Sequence, residues 1–345
     1  MSSAGPPGQA PLVEAVGLSK HFPVPRSARD VLARRRRVVH AVSDVDLSIG
    51  RGEVVGLIGE SGSGKSTFGR VLLRLVEPTS GTVRFDGTDL AGLGREELRQ
   101  LRRRMAVVFQ NPYSAVNRRR RVYDIVAEPL VIHRVGDARA REARVAELLG
   151  LVGLSTEHAW RLPNELSGGQ LQRVAIARAL ALGPDFVLAD EPTASLDVSV
   201  RAQVINLFMD LKAELALSML FISHDLATVA WLADRVAVVY LGRVVEVAAT
   251  SALGSAALHP YTQALIASIP KPDPRQRSRA PTRGQIPSAV DLPPGCAYHP
   301  RCPLAMPICR TERPPLEDKA GGHLAACHAV ARGAGAPGRA VASAP

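Results

Sequence analysis

One glycine-rich stretch has residue types and spacing suited to phosphate chemistry. It consists of Gly59, Glu60, Ser61, Gly62, Ser63, Gly64, Lys65, Ser66 and Thr67, and it fits the pattern G-x-x-x-x-G-K-[ST]. The glycines let backbone N–H groups turn toward phosphate oxygens. Lys65 would reach the β- and γ-phosphates, and the Ser66 hydroxyl would ligate Mg²⁺. The pattern predicts a site for a nucleoside triphosphate.

The residues on either side of this phosphate loop support the prediction. An apolar run from Val54 to Ile58 precedes it and is typical of a buried strand. Behind the loop, apolar residues recur at i, i+3, i+4 and i+7, which predicts one face of a helix; they are Phe68, Val71, Leu72 and Leu75. The motif requires a strand, a glycine-rich turn and a helix in this order. The alternative, a glycine-rich turn that occurs by chance, would not explain why both a strand and a helix adjoin it.

An acidic pair further along the chain has the chemistry to complete such a site. Asp190 and Glu191 follow the apolar strand predicted over 186–189. Asp190 would hold Mg²⁺, directly or through water, and Glu191 would polarise the attacking water as a general base. The alternative is an acidic pair that only ends a strand. His224 follows the strand predicted over 219–222 and could contact the γ-phosphate, although a lone histidine is more often structural.

The hydrophobic pattern predicts an α/β fold. From residue 168 to 247, strands that are apolar throughout alternate with helices, which indicates a parallel sheet covered on both faces. Leu12 to Val16 and Ala41 to Ile49 predict an antiparallel flank. Residues 113–165 have helical segments and no strand-like run. We therefore predict a disordered segment over 1–11, a nucleotide-binding domain over 12–255 with a helical subdomain at about 113–170, and a small extension over 256–345.

Composition limits the possible partners. The 345 residues carry a net charge of +11, much of it in the clusters Arg34–Arg37 and Arg118–Arg121. This charge permits nucleic acid, anionic lipid or an acidic protein, but the clusters lack the interleaved aromatic residues that stack bases. No apolar run approaches the roughly 18 residues that span a bilayer, and residues 1–11 lack the layout of a signal peptide. These features predict a cytosolic protein. The charge alone does not choose among the three kinds of partner, and we do not expect nucleic acid to be one.

All four cysteines lie in the last 50 residues, namely Cys296, Cys302, Cys309 and Cys327. Structural disulfides are one interpretation, but they are disfavoured in a reducing cytosol. Four unligated thiols are a second, but the clustering of all four cysteines in one segment would then be accidental. A metal site is the third interpretation. Four thiolates suit tetrahedral Zn²⁺, although close C-x₂₋₄-C pairs are missing, and they equally suit an iron–sulfur cluster. Alternative zinc ligands are His299, His323 and His328.

The order of further motifs resembles that of the ATP-binding-cassette (ABC) ATPases over residues 12–250. Leu166-Ser167-Gly168-Gly169-Gln170 matches their LSGGQ signature, which is much more specific than the phosphate loop. Gln110 matches the Q-loop, Asp190 and Glu191 the Walker B pair, Ser195-Leu196-Asp197 the D-loop and His224 the switch histidine. The resemblance implies a P-loop cassette with an antiparallel flank and an inserted helical subdomain.

The resemblance also implies how the site is assembled. Such cassettes pair head to tail, so that each ATP lies between one subunit's phosphate loop and the other's LSGGQ turn. Ser167, Gly168, Gly169 and Gln170 would then serve the partner's ATP, with Asp197 beside them. Gln110 would add a ligand to Mg²⁺, and Phe22, or alternatively His21, would stack on adenine.

Several segments resemble the ATP-binding subunits of dipeptide and oligopeptide importers, in particular the F-type member of a two-ATPase pair. They are residues 108–114, 221–226, 240–243, 259–265 and 293–296. This resemblance implies a second, different ATPase subunit, two integral-membrane permease subunits and, indirectly, an extracytoplasmic solute-binding protein. It implies a peripheral position on the cytoplasmic face of the inner membrane and a [4Fe–4S] cluster on the four cysteines, with Zn²⁺ as the alternative.

The same resemblance leaves other functions open. The subgroup includes importers of nickel and other small solutes. It usually has Asn-Pro-Arg after the Q-loop, whereas Asn117 here precedes four arginines, so the partner subunits are less well specified than the ATP chemistry. A DNA-repair ATPase would use the same site but normally carries long coiled coils or large insertions. A ribosome-associated cassette protein usually carries two cassettes in one chain, and this chain has one.

Overall fold

A computed structural model describes residues 10–25, 37–268, 284–319 and 321–330. The predicted disorder of residues 1–9 lies outside the described residues. So does most of the arginine cluster at Arg34–Arg37, of which only Arg37 is described.

An eight-stranded sheet forms the centre of the fold, with the strand order β11-β12-β10-β9-β3-β8-β7-β6. Its strands are β3 (Val54–Ile58), β6 (Met105–Val108), β7 (Phe186–Asp190), β8 (Ser218–Ser223), β9 (Arg235–Tyr240), β10 (Arg243–Ala249), β11 (Glu317–Asp318) and β12 (Leu324–Ala325). The strands from β6 to β9 in this order pair in parallel, as predicted. For β10 the prediction is wrong. Leu241 and Gly242 both adopt positive φ, which makes a tight hairpin turn and an antiparallel pair with β9.

The sheet separates two hydrophobic cores. In β3, Val54 and Ile58 face one core while Val55 and Leu57 face the other. This alternation follows from the two-residue period of a strand. Because neither face meets water, these strands are apolar throughout, which is the pattern that the sequence shows.

A four-stranded antiparallel sheet covers one face, as the sequence predicts. Its order is β2-β1-β4-β5, formed by β1 (Val13–Pro23), β2 (Val38–Ile49), β4 (Ser80–Phe85) and β5 (Thr88–Asp89). The strand β2 runs against the phosphate loop: a Cβ atom added at Gly64 would lie 1.9 Å from the carbonyl oxygen of Ala41. Only glycine fits there, and its φ of 100° is a further reason.

Helices cover the remaining surface of the sheet. They are α1 (Lys65–Leu72), α2 (Arg95–Leu101), α3 (Pro112–Ala115), α4 (Val122–Ile132), α5 (Ala138–Leu151), α6 (Gly168–Leu180), α7 (Val198–Leu215), α8 (Leu226–Leu232), α9 (Thr250–Ala256) and α10 (Pro260–Ala267). Residues 113–165 contain helices and no strand, as predicted. The prediction that Leu75 extends the apolar face of α1 is wrong, since the helix ends at Leu72, Arg74 turns the chain with a φ of 49°, and Leu75 is 45% exposed.

The described part of the extension packs against the sheet. Strand β12 pairs with β10, and the rings of Tyr261 and Tyr298 are buried against Tyr240, with centroid distances of 4.7 and 5.2 Å. The domain boundary at residue 255 stays a prediction. No helix among the described ranges is long and apolar enough to cross a bilayer.

Candidate functional site

The parallel strands bring the predicted catalytic residues to one edge of the sheet. The phosphate loop follows β3, Asp190 ends β7, His224 follows β8, and Gln110 lies just beyond β6. Since the carboxyl ends of neighbouring parallel strands meet at a common edge, residues far apart in sequence become neighbours there.

Lys65 is held inside the phosphate loop. Its side chain is buried, and Nζ donates to the carbonyl oxygens of Gly59 at 2.8 Å and Glu60 at 3.0 Å. Burial lowers the pKa of Lys65, while the carboxylates of Glu191, Asp190 and Glu60 act in the opposite direction. The ammonium group therefore lies against the backbone carbonyl groups at the start of the loop, although Lys65 itself is the first residue of α1.

Ser66 and Asp190 form the part of the site that could hold Mg²⁺. Ser66 Oγ donates to Asp190 Oδ1 at 2.7 Å, and Arg70 Nη2 lies 3.8 Å from the other carboxylate oxygen. Burial raises the pKa of Asp190, which shows that this carboxylate is poorly solvated. A hydroxyl and a desolvated carboxylate beside a phosphate loop are the oxygen donors that Mg²⁺ prefers, so these residues fit the ion.

Glu191 lies between the other two predicted catalytic residues. Its Oε2 accepts a hydrogen bond from Gln110 Nε2 at 3.2 Å and lies 3.3 Å from His224 Nδ1. The backbone of Glu191 has a φ of 47°, the left-handed region that non-glycine residues rarely adopt. The D-loop joins the same cluster, because Ser195 Oγ donates to the Gln110 carbonyl oxygen at 3.3 Å.

The LSGGQ turn lies apart from this cluster. Ser167 caps α6 by accepting from the backbone N–H of Gln170, and Gln170 Oε1 accepts in return from the Ser167 N–H at 3.0 Å. Gly169 packs closely, since an added Cβ would lie 2.4 Å from Val200 Cγ1. Asp197 is exposed at the start of α7. Among the described residues, no hydrogen bond or ion pair joins the LSGGQ turn to the phosphate loop.

The two candidates for stacking on adenine differ in exposure. Phe22 on β1 is 37% exposed, and Lys20 Nζ lies 5.0 Å from its ring centroid. The His21 ring packs edge-on against His40 at 4.4 Å, and its Nε2 is buried. Burial, followed by His40, lowers the pKa of His21. A free ring face is therefore more accessible at Phe22.

The four cysteines converge in the extension as free thiols. The Cys296 N–H donates to the Cys309 carbonyl oxygen at 2.9 Å. Burial raises the pKa of Cys302 to about 11, and the thiols of Cys327, Cys296 and Cys309 contribute in the same direction. Within the described part of the chain, no three His, Cys, Asp or Glu side chains are arranged to hold a metal ion.

The three histidines that were alternative zinc ligands have other partners. His299 Nδ1 lies 2.9 Å from the Cys296 carbonyl oxygen, and His328 Nε2 lies 3.1 Å from the Glu312 carbonyl oxygen. His323 Nε2 lies 2.7 Å from the fully buried Glu246 carboxylate.

Sequence reasoning missed the residues that support the phosphate loop from a distance. Glu60 N–H donates to Tyr261 Oη at 2.8 Å, and the Glu60 carboxylate accepts two hydrogen bonds from Arg301. Glu60 occupies a variable position of the motif, and up to 241 residues separate these partners, so no local pattern could pair them.

Comparison with known proteins identifies the family. Residues 42–194 match the model of the ABC transporter family, and residues 245–309 match the model of the oligopeptide/dipeptide transporter C-terminal region. A probable peptide ABC transporter ATP-binding protein of Sinorhizobium fredii is 49% identical over 94% of this chain and 92% of its own length. An oligopeptide transport ATP-binding protein of Bacillus subtilis is 44% identical over 93% of this chain and 98% of its own length.

Solved structures agree with this assignment. The ATP-binding cassette MJ0796, in a dimeric post-hydrolysis state bound to ADP and Pi, superposes with a TM-score of 0.60 at 30% identity, covering 69% of this chain and 98% of that one. The protein cbiO1 of Clostridium perfringens, part of the ABC transporter complex cbiONQ, gives a TM-score of 0.60 at 26% identity, covering 70% of this chain and 90% of that one. The chain therefore belongs to the ABC transporter ATPase family and carries the C-terminal region found in oligopeptide and dipeptide transporters.

Proposed function

We propose that this chain hydrolyses ATP to drive the import of dipeptides or oligopeptides. The observation that carries the chemistry is the Glu191 carboxylate, which contacts Gln110 and His224 beside the Ser66–Asp190 pair. The peptide substrate is supported by the names of the relatives and by the match of residues 245–309 to the oligopeptide/dipeptide transporter region.

Each residue of the cluster has a role in this mechanism. The backbone of residues 59–67 binds the phosphates and Lys65 neutralises their charge. Ser66, Asp190 and Gln110 would hold Mg²⁺, which supplies further neutralisation of phosphate charge when bound. Glu191 takes a proton from the attacking water, and Gln110 and His224 fix the position of its carboxylate. The positive φ at Glu191 is a strained conformation of the kind that clusters at active sites.

The hydrolytic site is completed by a second ATPase subunit. Ser167, Gly168, Gly169 and Gln170 contact the partner's ATP together with Asp197, and Phe22 stacks on the adenine of the chain's own ATP. The support is that the LSGGQ turn is capped by its own Ser167 and Gln170, and that among the described residues no hydrogen bond or ion pair links it to the phosphate loop of its own chain. The mate is a related but different ATPase, as the F-type segments indicate.

Two integral-membrane permease subunits hold the ATPase on the cytoplasmic face of the inner membrane, and an extracytoplasmic binding protein delivers the peptide. The contact surface is residues 110–121. Its four arginines, Arg118 to Arg121, are exposed, and the guanidinium of Arg118 lies over the Tyr113 ring at 5.4 Å.

Reconstitution tests the transport assignment. The chain is purified with its native permease subunits and placed in lipid vesicles. Its ATP hydrolysis is then measured with di- to pentapeptides and the binding protein. We expect peptides to stimulate hydrolysis and Ni²⁺ to leave it unchanged. Stimulation by Ni²⁺ alone, or copurification with DNA or ribosomes in place of the permeases, would contradict peptide import.

We also propose that Cys296, Cys302, Cys309 and Cys327 hold a [4Fe–4S] cluster. The support is that all four cysteines are free thiols in the described part of the extension, near enough for Cys327, Cys296 and Cys309 to add to the effect of burial, which raises the pKa of Cys302. A cluster is favoured over Zn²⁺ because these cysteines lack the close C-x₂₋₄-C pairs that are common in zinc sites. Anaerobic purification should give a brown protein with equal iron and acid-labile sulfide. A colourless protein with one zinc per chain would overturn the cluster.

A further inference from the structure

Glu60 of the phosphate loop is held on three sides. Its N–H donates to Tyr261 Oη at 2.8 Å, its carbonyl oxygen accepts from Lys65 Nζ at 3.0 Å, and its carboxylate accepts from Arg301. Two of these three contacts come from residues beyond 255. The loop is thus fastened to a part of the chain that lies outside the ATP-binding motifs.

The Arg301 contact is well formed and buried. Arg301 Nη1 donates to Glu60 Oε2 at 2.8 Å and Nη2 donates to Glu60 Oε1 at 3.0 Å, which is a bidentate pair. The Arg301 side chain is 4% exposed, and its guanidinium lies 5.8 Å from the ring centroids of both Tyr240 and Tyr298. Water screens such a pair little, so its geometry and charge balance matter more than those of a surface ion pair.

The charge of Glu60 would otherwise oppose nucleotide binding. Its carboxylate belongs to the same loop whose backbone would face the phosphates, and the carbonyl oxygen of the same residue lies 3.0 Å from Lys65 Nζ. Removing Arg301 would leave one uncompensated negative charge beside the triphosphate. It would also release the loop on the side facing the extension.

We propose that Arg301 is a positioning residue for the ATP site, which through Glu60 holds the phosphate loop in shape and balances its charge. The inference rests on the proposed role of residues 59–67 in binding ATP. It also connects the cysteines to that site, because Arg301 directly precedes Cys302 in a single short turn of backbone.

A double-mutant cycle on the full-length chain tests this link. Kd for Mg-ATP is measured by calorimetry in the wild type, Arg301→Met, Glu60→Gln and the double variant. We expect Arg301→Met to weaken ATP binding about tenfold, the worth of a charged hydrogen-bonded contact. In the Glu60→Gln background the same change should weaken binding by less than about twofold, because no carboxylate is left uncompensated. Equal losses in both backgrounds would overturn the proposal, as would no loss in either.

Two further variants separate positioning from a general effect on folding. Arg301→Lys keeps the positive charge but cannot form the bidentate pair with Glu60, so we expect ATP binding to weaken by an intermediate factor of about three. Arg313→Gln is the matched control, because the Arg313–Asp44 pair also joins the extension to β2 but is exposed and does not touch the loop. If Arg313→Gln weakens ATP binding as much as Arg301→Met, the role of Arg301 is only structural. Unchanged ATP binding by Lys65→Ala would instead refute the assignment of the phosphate loop.

Discussion

Two glycine-rich turns at helix N-termini, the phosphate loop and the LSGGQ turn, have opposite surroundings in this molecule. The phosphate loop lies between β2, α10 and the turn at Arg301, and Lys65 and Glu60 make all their contacts inside the chain. The LSGGQ turn satisfies its own N–H groups through the Ser167–Gln170 capping box, and Ser167 is exposed. The phosphate loop is thus held by hydrogen bonds from distant parts of the chain, whereas the hydrogen bonds of the LSGGQ turn stay close in sequence, within the turn and to His158.

This difference teaches how a two-subunit site can be divided. The half that selects and holds the nucleotide is preorganised within one chain, which reduces the ordering needed on binding. The LSGGQ turn, which we propose completes the site of a partner, is capped by its own Ser167 and Gln170, with Ser167 exposed and Gly169 packed against Val200. Perturbing the first half should alter binding or chemistry within one subunit, whereas perturbing the second should alter association.

The largest effect should come from Glu191, the proposed catalytic carboxylate beside the phosphate loop. Glu191→Gln keeps the shape of the side chain but removes the general base, so kcat should fall about 10²–10⁴-fold with Mg-ATP affinity retained. ATP-bound pairs should accumulate and are measured by size-exclusion chromatography with light scattering. Glu142→Gln, at an exposed position of α5, is the matched control and should hydrolyse normally. Near-normal turnover by Glu191→Gln would remove this residue from the mechanism.

A charge on the LSGGQ turn should have the next largest effect. At Gly168 an added Cβ meets only Leu196 Cδ2 at 3.5 Å, so Gly168→Asp fits the fold. Its carboxylate would face the partner's triphosphate, and we expect about a hundredfold loss of hydrolysis with ATP binding to its own phosphate loop unchanged. Gly168→Ala should stay close to the wild type. Full-rate hydrolysis by Gly168→Asp would show that the turn does not meet a nucleotide.

Lys65→Ala tests the phosphate loop by removing the ammonium group that we propose contacts the phosphates. A charge-assisted hydrogen bond contributes about 1.5–3 kcal/mol, so Mg-ATP should bind about 10- to 100-fold more weakly by calorimetry. Lys212→Ala is the control, since Lys212 pairs with Asp234 away from the site. Unchanged affinity for Mg-ATP would contradict the assignment of residues 59–67 as the phosphate loop.

The smallest effect concerns α10, the helix that carries Tyr261 to the phosphate loop. Burial lowers the pKa of His259 to about 4 from an ordinary 6.5, against the Glu246 carboxylate. Between these values the unfolded chain binds more protons, so the free energy of unfolding should fall as pH drops from 6.5 toward 4, by about 3 kcal/mol at most. His259→Asn keeps an N-cap acceptor and should flatten this dependence in urea unfolding at pH 5 to 7. An unchanged slope would show that other groups carry it.

Local sequence patterns predicted most of the cassette. The run Val54–Ile58 matches β3, because a strand buried on both faces must be apolar at each position. The phosphate loop, the helical residues 113–165 and the antiparallel flank follow equally from spacing. In contrast, the direction of β10 depends on a two-residue turn, and the end of α1 depends on the conformation of Arg74.

The candidate site was predictable where a motif or a strand end marks its residues. Gln110, Asp190 and His224 follow apolar runs, so a parallel sheet brings them together. The contact of Arg301 with Glu60 has no such signal, since it depends on how a proline-rich segment returns to the loop. The roles of the site residues, and the ligand of the four cysteines, remain predictions.

The two-residue strand β12 also determines what the sheet offers to other chains. Because β12 pairs with β10, and the Ala326 N–H bonds the Val245 carbonyl oxygen, the outer edge of β10 is covered. A bare β10, rich in valine, would be a template for strand addition between molecules. Beside it, Glu246 would lose His323. The few residues from β11 to β12 thus act against aggregation, so any shortened version of this protein designed for solubility should keep them or put a charge or a proline on β10.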